Sequence, residues 1–330
     1  MVNSLTDLAK QRQYFTDNFF AIAEEVSTMI VGQQAVVEGV LTALCAGGHV
    51  LLEGVPGLGK TMLVSSISKA VSLPFSRIQF TPDMMPADIQ GTSVLMETES
   101  GGHELTFQPG PIVSNLVLAD EINRATPKTQ SALLEVMQEK QVTVGRRTIK
   151  LDEPFCVMAT QNPVDQEGTY PLPEAQLDRF LFKLEVGYPT EQDYHTIIDR
   201  TTSGEQIHLN AVANGDVLNE MRRIVRSVPV TEEAKTFAIR LVMGTQPQSQ
   251  YASTKVNSYV ALGASPRGIQ SLMLAGKVKA LLNKRLSVRP DDIIAVAHPV
   301  LRHRLVLNFS AQAAGISSDS IISSVLEGLA

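Results

Sequence analysis

The stretch Gly54-Val55-Pro56-Gly57-Leu58-Gly59-Lys60-Thr61 lies between a short apolar run, His49–Glu53, and a segment of helical character, Met62–Val71. A strand that ends in a glycine-rich turn and opens directly into a helix admits few folds. It matches G-x-x-x-x-G-K-[ST], whose strand–loop–helix setting belongs to parallel α/β sheets. The chemistry of the turn follows from its residue types. Glycines let backbone N–H groups face an anion without a Cβ in the way. Lys60 has the reach for the β- and γ-phosphates of a nucleotide, and the Thr61 hydroxyl can ligate Mg²⁺. The helix that begins near Lys60 directs the positive end of its dipole to the same place.

The rest of the chain fits that frame up to about residue 188. Strand candidates at His49–Glu53, Phe75–Phe80, Asn115–Ala119, Phe155–Thr160 and Phe180–Glu185 alternate with helical segments, the pattern of a mainly parallel sheet with helices on its faces. Apolar residues from Leu5 to Val26 recur at helical spacing, so an amphipathic helix is expected at the N-terminus. Beyond Gly187-Tyr-Pro-Thr190 the strand signals stop. Helices are expected at Glu191–Thr201, Val217–Val228, Thr231–Gly244, Ser265–Asn283 and Pro290–Leu307, with a Gln- and Ser-rich loop at Gly244–Asn257. The expected division is therefore an α/β domain over 1–188 and an all-α domain over 189–330.

Two further strands end in polar residues that suit phosphate chemistry. Leu116-Val-Leu-Ala-Asp120-Glu121 is apolar up to two acids. At the carboxyl edge of a parallel sheet Asp120 would hold Mg²⁺, and Glu121 would orient or deprotonate the water that attacks the γ-phosphate. Cys156-Val-Met-Ala-Thr160-Gln-Asn162 is the second such strand. Its Asn162 could hydrogen-bond both that water and a γ-phosphate oxygen.

Composition narrows the classes. The formal net charge is −6 with 28 basic residues, which argues against non-specific nucleic-acid binding. The nearest approach to a membrane span, Ala35–Leu52, is broken by Glu38, His49 and a Gly-Gly pair. With no basic leader before an apolar core at the N-terminus, a cytoplasmic protein is expected. Cys45 and Cys156 sit in apolar contexts and read as reduced, buried thiols. The six histidines show no zinc-ligand spacing.

Taken together, these ordered motifs resemble the AAA+ ATPases and, within them, the MoxR family. The likeness runs from Ile30-Val31-Gly32-Gln33 to Val300-Leu-Arg-His-Arg-Leu305, through Phe107-Gln-Pro-Gly-Pro111, Ala119-Asp-Glu-Ile-Asn-Arg-Ala125, Pro171-Leu-Pro-Glu-Ala-Gln-Leu-Asp-Arg-Phe180 and Gly263-Ala-Ser-Pro-Arg-Gly268. The resemblance implies a P-loop AAA+ sheet with a C-terminal helical lid. It also implies hydrolysis of ATP with Mg²⁺ and assembly into a homo-oligomeric ring, expected as a hexamer. ATP would lie between the two domains. Val31, Gly32, Gln33 and Met62 would join residues 54–61 and Asp120 around the nucleotide. Arg179 would be the finger supplied to a neighbour's site, and Arg267 the nucleotide sensor, in its own site or the adjacent one; Arg124 is a further interface candidate. Two hairpins are implied, Thr92–Glu97 with His103–Phe107 about Ser100-Gly101-Gly102, and Val142–Leu151 about Gly145. Arg146 and Arg147 at the second turn are candidates for partner contact. The family's role is chaperone-like remodelling or activation of partner proteins, including metal insertion with a von Willebrand A domain protein supplied in trans. A magnesium-chelatase-like ATPase subunit and a nucleic-acid motor are the alternatives.

Overall fold

The computed structural model describes residues 5–55, 57–97, 102–145, 147–162, 168–202 and 207–329. Pro56, Arg146 and the Ser100-Gly101 turn lie outside them. The chain opens with helices α1 (Leu5–Met29) and α2 (Gln34–Ala46), then strand β1 (Val50–Glu53), α3 (Lys60–Ala70), β2 (Phe75–Gln79) and α4 (Pro86–Gln90). A hairpin of β3 (Gly91–Glu97) and β4 (His103–Pro109) precedes β5 (Leu116–Asp120) and α5 (Pro127–Glu139). A second hairpin, β6 (Gln141–Val144) and β7 (Arg147–Lys150), leads to β8 (Cys156–Gln161), α6 (Glu174–Leu177) and β9 (Phe182–Glu185). Then come α7 (Glu191–Thr202), α8 (Gly215–Ser227), α9 (Glu232–Gly244), α10 (Thr254–Tyr259), β10 (Val260–Leu262) and α11 (Pro266–Leu282). The chain closes with α12 (Pro290–Ile294), α13 (Ala297–Leu301), β11 (Val306–Leu307), α14 (Phe309–Ala313) and α15 (Ser318–Leu329).

The central sheet has the order β2-β5-β8-β1-β9, and every pairing in it is parallel. Both faces are covered, and the strand period shows how. Val50 and Leu52 of β1, Leu116 and Leu118 of β5, and Cys156 and Met158 of β8 join one core. Leu51, Val117, Ala119, Val157 and Ala159 point the other way into a second core with α5. Near-continuous apolar strands are what a sheet buried on both faces requires. The expected hairpins are present, each as a two-stranded antiparallel ladder.

α8 and α11 pack against α1 and α2, and α13 packs against β9, so most of the helical part shares the first core. Two features depart from the sequence reading of this region. The helix expected over Pro290–Leu307 is broken into α12 and α13, followed by a strand. Pro299 cannot donate to the preceding turn, so an unbroken helix would lose a bond there. The short β10–β11 ladder also interrupts an otherwise all-helical region. In the expected Gly244–Asn257 loop, α10 begins at Thr254 with the Ser253 hydroxyl accepting from the Val256 N–H.

Several buried polar groups are fixed by the fold. His49, at the start of β1, accepts from the Val157 N–H at Nδ1 and places Nε2 3.0 Å from the Met137 carbonyl, which it serves as donor. Burial pulls its pKa down to about 4, so it stays neutral. Both cysteines are free and buried, and burial pushes each thiol up to about 12.

Candidate functional site

Parallel pairing carries every strand's carboxyl end to one edge. Glu53 is level with Gln161, and Gln79 with Asp120. The loop after β1 therefore opens beside Asp120, Glu121 and Asn162, the place where open α/β sheets bind ligands. Glycine is required in this loop for two different reasons. Gly57 and Gly59 have φ of 84° and 75°, the left-handed region that suits residues without a Cβ. Gly54 instead needs close approach, since a Cβ there would meet the Val186 carbonyl oxygen at 2.6 Å. Gly59 N-caps α3, so Lys60 and Thr61 form its first turn.

The Lys60 amine donates to the Gly54 carbonyl. Burial lowers its pKa, and the carboxylates of Asp120, Glu121 and Glu53 oppose that shift. The Lys60 amine thus lies in the field of the acids at the end of β5.

Asp120 and Glu121 are held by a network that the sequence reading did not include. Thr160 of β8 donates to Asp120 Oδ1 at 2.6 Å and accepts from the Glu121 N–H at 2.8 Å. Arg77 of β2 pairs with Asp120 Oδ2 at 2.6 Å and also donates to Gln79 at 2.7 Å. Gln79 in turn donates to Glu121 Oε2 at 3.1 Å. Arg124 reaches the same oxygen at 2.9 Å, so this interface candidate is engaged within its own chain. Arg77 and Gln79 could have been found from the period of β2, because i and i+2 share a face of a strand. Glu121 sits at φ 57°, ψ 49°, a left-handed conformation rarely taken by a residue with a side chain. Such strain, of order 1–3 kcal/mol, collects at functional sites.

A hard cation fits this donor set. Mg²⁺ takes one or two protein oxygens plus phosphate and water, not an all-protein cage. Thr61 and Asp120 could supply those oxygens. Among the described residues there is no cluster of three or more His, Cys, Asp or Glu that would suit another metal.

A cavity of about 480 Å³ continues from the loop. Gly57, Leu58, Gly59, Lys60 and Met62 form one wall, Val31 and Gln33 a second, and Tyr194 and Ile197 of α7 a third. Gly32, Gly54, Thr61 and Asp120 lie outside this lining, and Gly32 has its own reason for being small. Its φ is 72°, and a Cβ would come within 2.5 Å of the Asp193 carboxyl group at the start of α7. Gln33 donates to the Gly187 carbonyl at 2.9 Å, closing the same corner. Tyr194, Ile197 and Ile207 add apolar surface suited to a base, and were not foreseen as site residues. Pro189, Tyr194, Ile197, Arg200, Thr201 and Ile207 lie beyond residue 188, so the lining draws on both sides of the expected division, in the second part as far as residue 207.

The arginines stand elsewhere. Arg179 precedes β9, and Arg267 is in the first turn of α11. Both line a different cavity of about 330 Å³, together with Gly48, His49, Lys140 and Arg226. Gly48 and His49 enter β1 at its amino end, so this cavity is across the sheet from the loop. Asp178, a plausible ion-pair partner for Arg179 in sequence, is taken by Arg304 at 2.8 Å. Among the described residues Arg179 has no carboxylate within ion-pair reach. One of its Nη atoms donates to the Leu134 carbonyl, and its buried Nε has no partner. The Arg179 side chain is half-buried, and its remaining Nη donors suit an anion. Arg304 is 6% exposed; burial pulls it down to about 10, against the opposing charge of Asp178.

Comparison with known proteins agrees with this geometry. Residues 49–182 match the family model described as the ATPase family associated with various cellular activities (AAA), and 252–325 match the AAA lid domain. The chain is 46% identical over 306 residues to "Chaperone MoxR1" of Mycobacterium tuberculosis, covering 93% of this chain and 80% of that one. It is 29% identical over 301 residues to "Protein MoxR" of Methylorubrum extorquens, with 86% of each covered. A solved Cytophaga hutchinsonii protein superposes with a TM-score of 0.89 at 40% identity, covering 97% of this chain and 96% of that one. No helix among the described residues is long and apolar enough to cross a membrane.

Proposed function

Since the chain belongs to the MoxR family of AAA+ ATPases, we propose that it hydrolyses ATP with Mg²⁺ in sites shared between neighbouring copies of itself, and uses the cycle to remodel partner proteins. The single observation that carries the shared site is the placement of Arg179 and Arg267 at the sheet edge opposite the phosphate-binding loop. In one chain they serve no common anion with Lys60. A cyclic assembly, expected as a hexamer, would set this edge of one chain against the nucleotide of the next.

Each residue then has a defined task. Backbone N–H groups of 57–61 and the Lys60 amine hold the phosphates, while Val31, Gln33, Tyr194 and Ile197 flank the base. Thr61 and Asp120 would hold Mg²⁺, which would supply positive charge to offset that of the phosphates. Glu121 takes the proton of the attacking water, and Asn162 fixes that water against the γ-phosphate. Arg77 and Thr160 orient the Asp120 carboxylate, and Gln79 and Arg124 orient that of Glu121. The neighbour's Arg179 stabilises the charge that spreads over the equatorial oxygens in the transition state. The two domains would meet near residue 188, and hinge motion there would carry the hairpins to the partner, a chaperone-like role in the cytoplasm. A von Willebrand A domain protein acting in metal insertion is the partner class proposed.

The direct test is Lys60→Ala with calorimetry of ATP and Mg²⁺. Lys60 makes one hydrogen bond, to a neighbouring carbonyl, so its loss should leave the fold intact. ATP binding should become undetectable at concentrations that saturate the parent chain. Unchanged affinity would overturn the site.

A further inference from the structure

The two arginines at the far edge come from distant parts of the chain, Arg179 from the end of the α/β part and Arg267 from the helical part. One network joins them. The Asp178 carboxylate accepts from Arg304 Nε at 2.8 Å on one oxygen and from the Ser265 hydroxyl at 2.8 Å on the other. Ser265 also accepts from the Arg267 N–H at 3.2 Å, capping the helix whose first turn carries Arg267. Arg304 donates from Nη2 to the Phe180 carbonyl at 2.7 Å and to the Ser271 hydroxyl at 2.9 Å. His303 adds its Nε2, 3.1 Å from the same Phe180 carbonyl. The residues on each side of Arg179 are therefore bonded to the segment that carries Arg267, in large part through a guanidinium with little contact with water.

We infer that Asp178, Ser265 and Arg304 form a clasp that fixes Arg179 and Arg267 as one rigid unit, so that both reach a neighbouring chain's nucleotide together. The inference rests on the shared-site reading above. The clasp residues are positioning residues; they touch no substrate. Their placement also explains why Asp178 does not quench Arg179. The carboxylate beside the finger is spent on Arg304 and Ser265, and the finger keeps its charge for an incoming anion. A misplacement of about 1 Å at such a group can cost about 10²-fold in rate.

Ser265→Ala is the informative variant, because it removes the bond to Asp178 and leaves Arg304 paired. It also removes a helix cap, a loss of about 1 kcal/mol in stability. Ser253→Ala removes an equivalent cap, that of α10, away from the clasp and serves as the control. Ser265→Ala should lower kcat by roughly 10-fold to 10²-fold with ATP affinity unchanged, whereas Ser253→Ala should leave both unchanged. Asp178→Asn, which keeps an acceptor for Arg304 but not the charge, should show the same split. Mixing Ser265→Ala chains with Lys60→Ala chains should restore turnover, because the second type offers an intact clasp to the first type's intact pocket. Arg179→Ala mixed with Lys60→Ala is run alongside, with subunit exchange verified by fluorescence transfer. If that control is rescued but Ser265→Ala has parental kcat, or a low kcat that mixing does not restore, the clasp is overturned and the shared site stands. If Arg179→Ala is not rescued despite exchange, the shared site falls and the clasp falls with it.

Discussion

Arg179→Ala is expected to lower ATP turnover by about 10³-fold or more while ATP binds as tightly as before. The size follows from what the side chain faces. Charge that builds on the equatorial oxygens during phosphoryl transfer is best met by a planar guanidinium in a site already stripped of water. The Arg179 guanidinium is held by one bond to the Leu134 carbonyl, with its buried Nε unpaired, and so is preorganised for that charge. Within its own chain the same change costs little beyond one hydrogen bond, so folding and the phosphate-binding loop should be unaffected. Turnover within about threefold of the parent, measured under saturating ATP, would remove Arg179 from the reaction.

Glu121→Gln should separate binding from chemistry. Its carboxylate accepts from Gln79 and Arg124, and its backbone is held by Thr160 in the left-handed region. A glutamine keeps the size and one accepting oxygen, and leaves Asp120 in place. What it loses is the basicity needed to take a proton from water. Hydrolysis should fall by ~10² or more, with ATP affinity near parental, so the variant should persist with ATP bound. Bound nucleotide recovered after incubation would then be mainly triphosphate. Recovery of diphosphate at the parental rate would transfer the role of base to another group.

The parts of the site that were legible in sequence are those written in contiguous stretches. The loop, the strand that ends at Asp120-Glu121 and the strand that ends near Asn162 each announce themselves by an apolar run that stops at polar residues. Parallel pairing then brings those ends together without further information. The arginines were recognisable as residues, but their location was not. It depends on Asp178 choosing Arg304, 126 positions away, over its own neighbour. The support around the acids was missed for a related reason. Arg77 and Gln79 look like the polar half of an edge strand until β5 is set beside β2. The break at α12–α13 was signalled by Pro299, which the apolar period of 290–307 obscured. In the helical part, surface pattern alone did not reveal that α8 and α11 would pack on α1 and α2.

In the proposed assembly one chain holds half of each catalytic centre. The most direct test is ATP turnover per chain as a function of protein concentration, at saturating ATP and Mg²⁺, with mass measured by sedimentation in the same samples. Turnover per chain should fall toward zero as dilution yields monomers, and rise in step with the assembled fraction. Constant turnover per chain down to concentrations at which every molecule sediments as a monomer would contradict the claim.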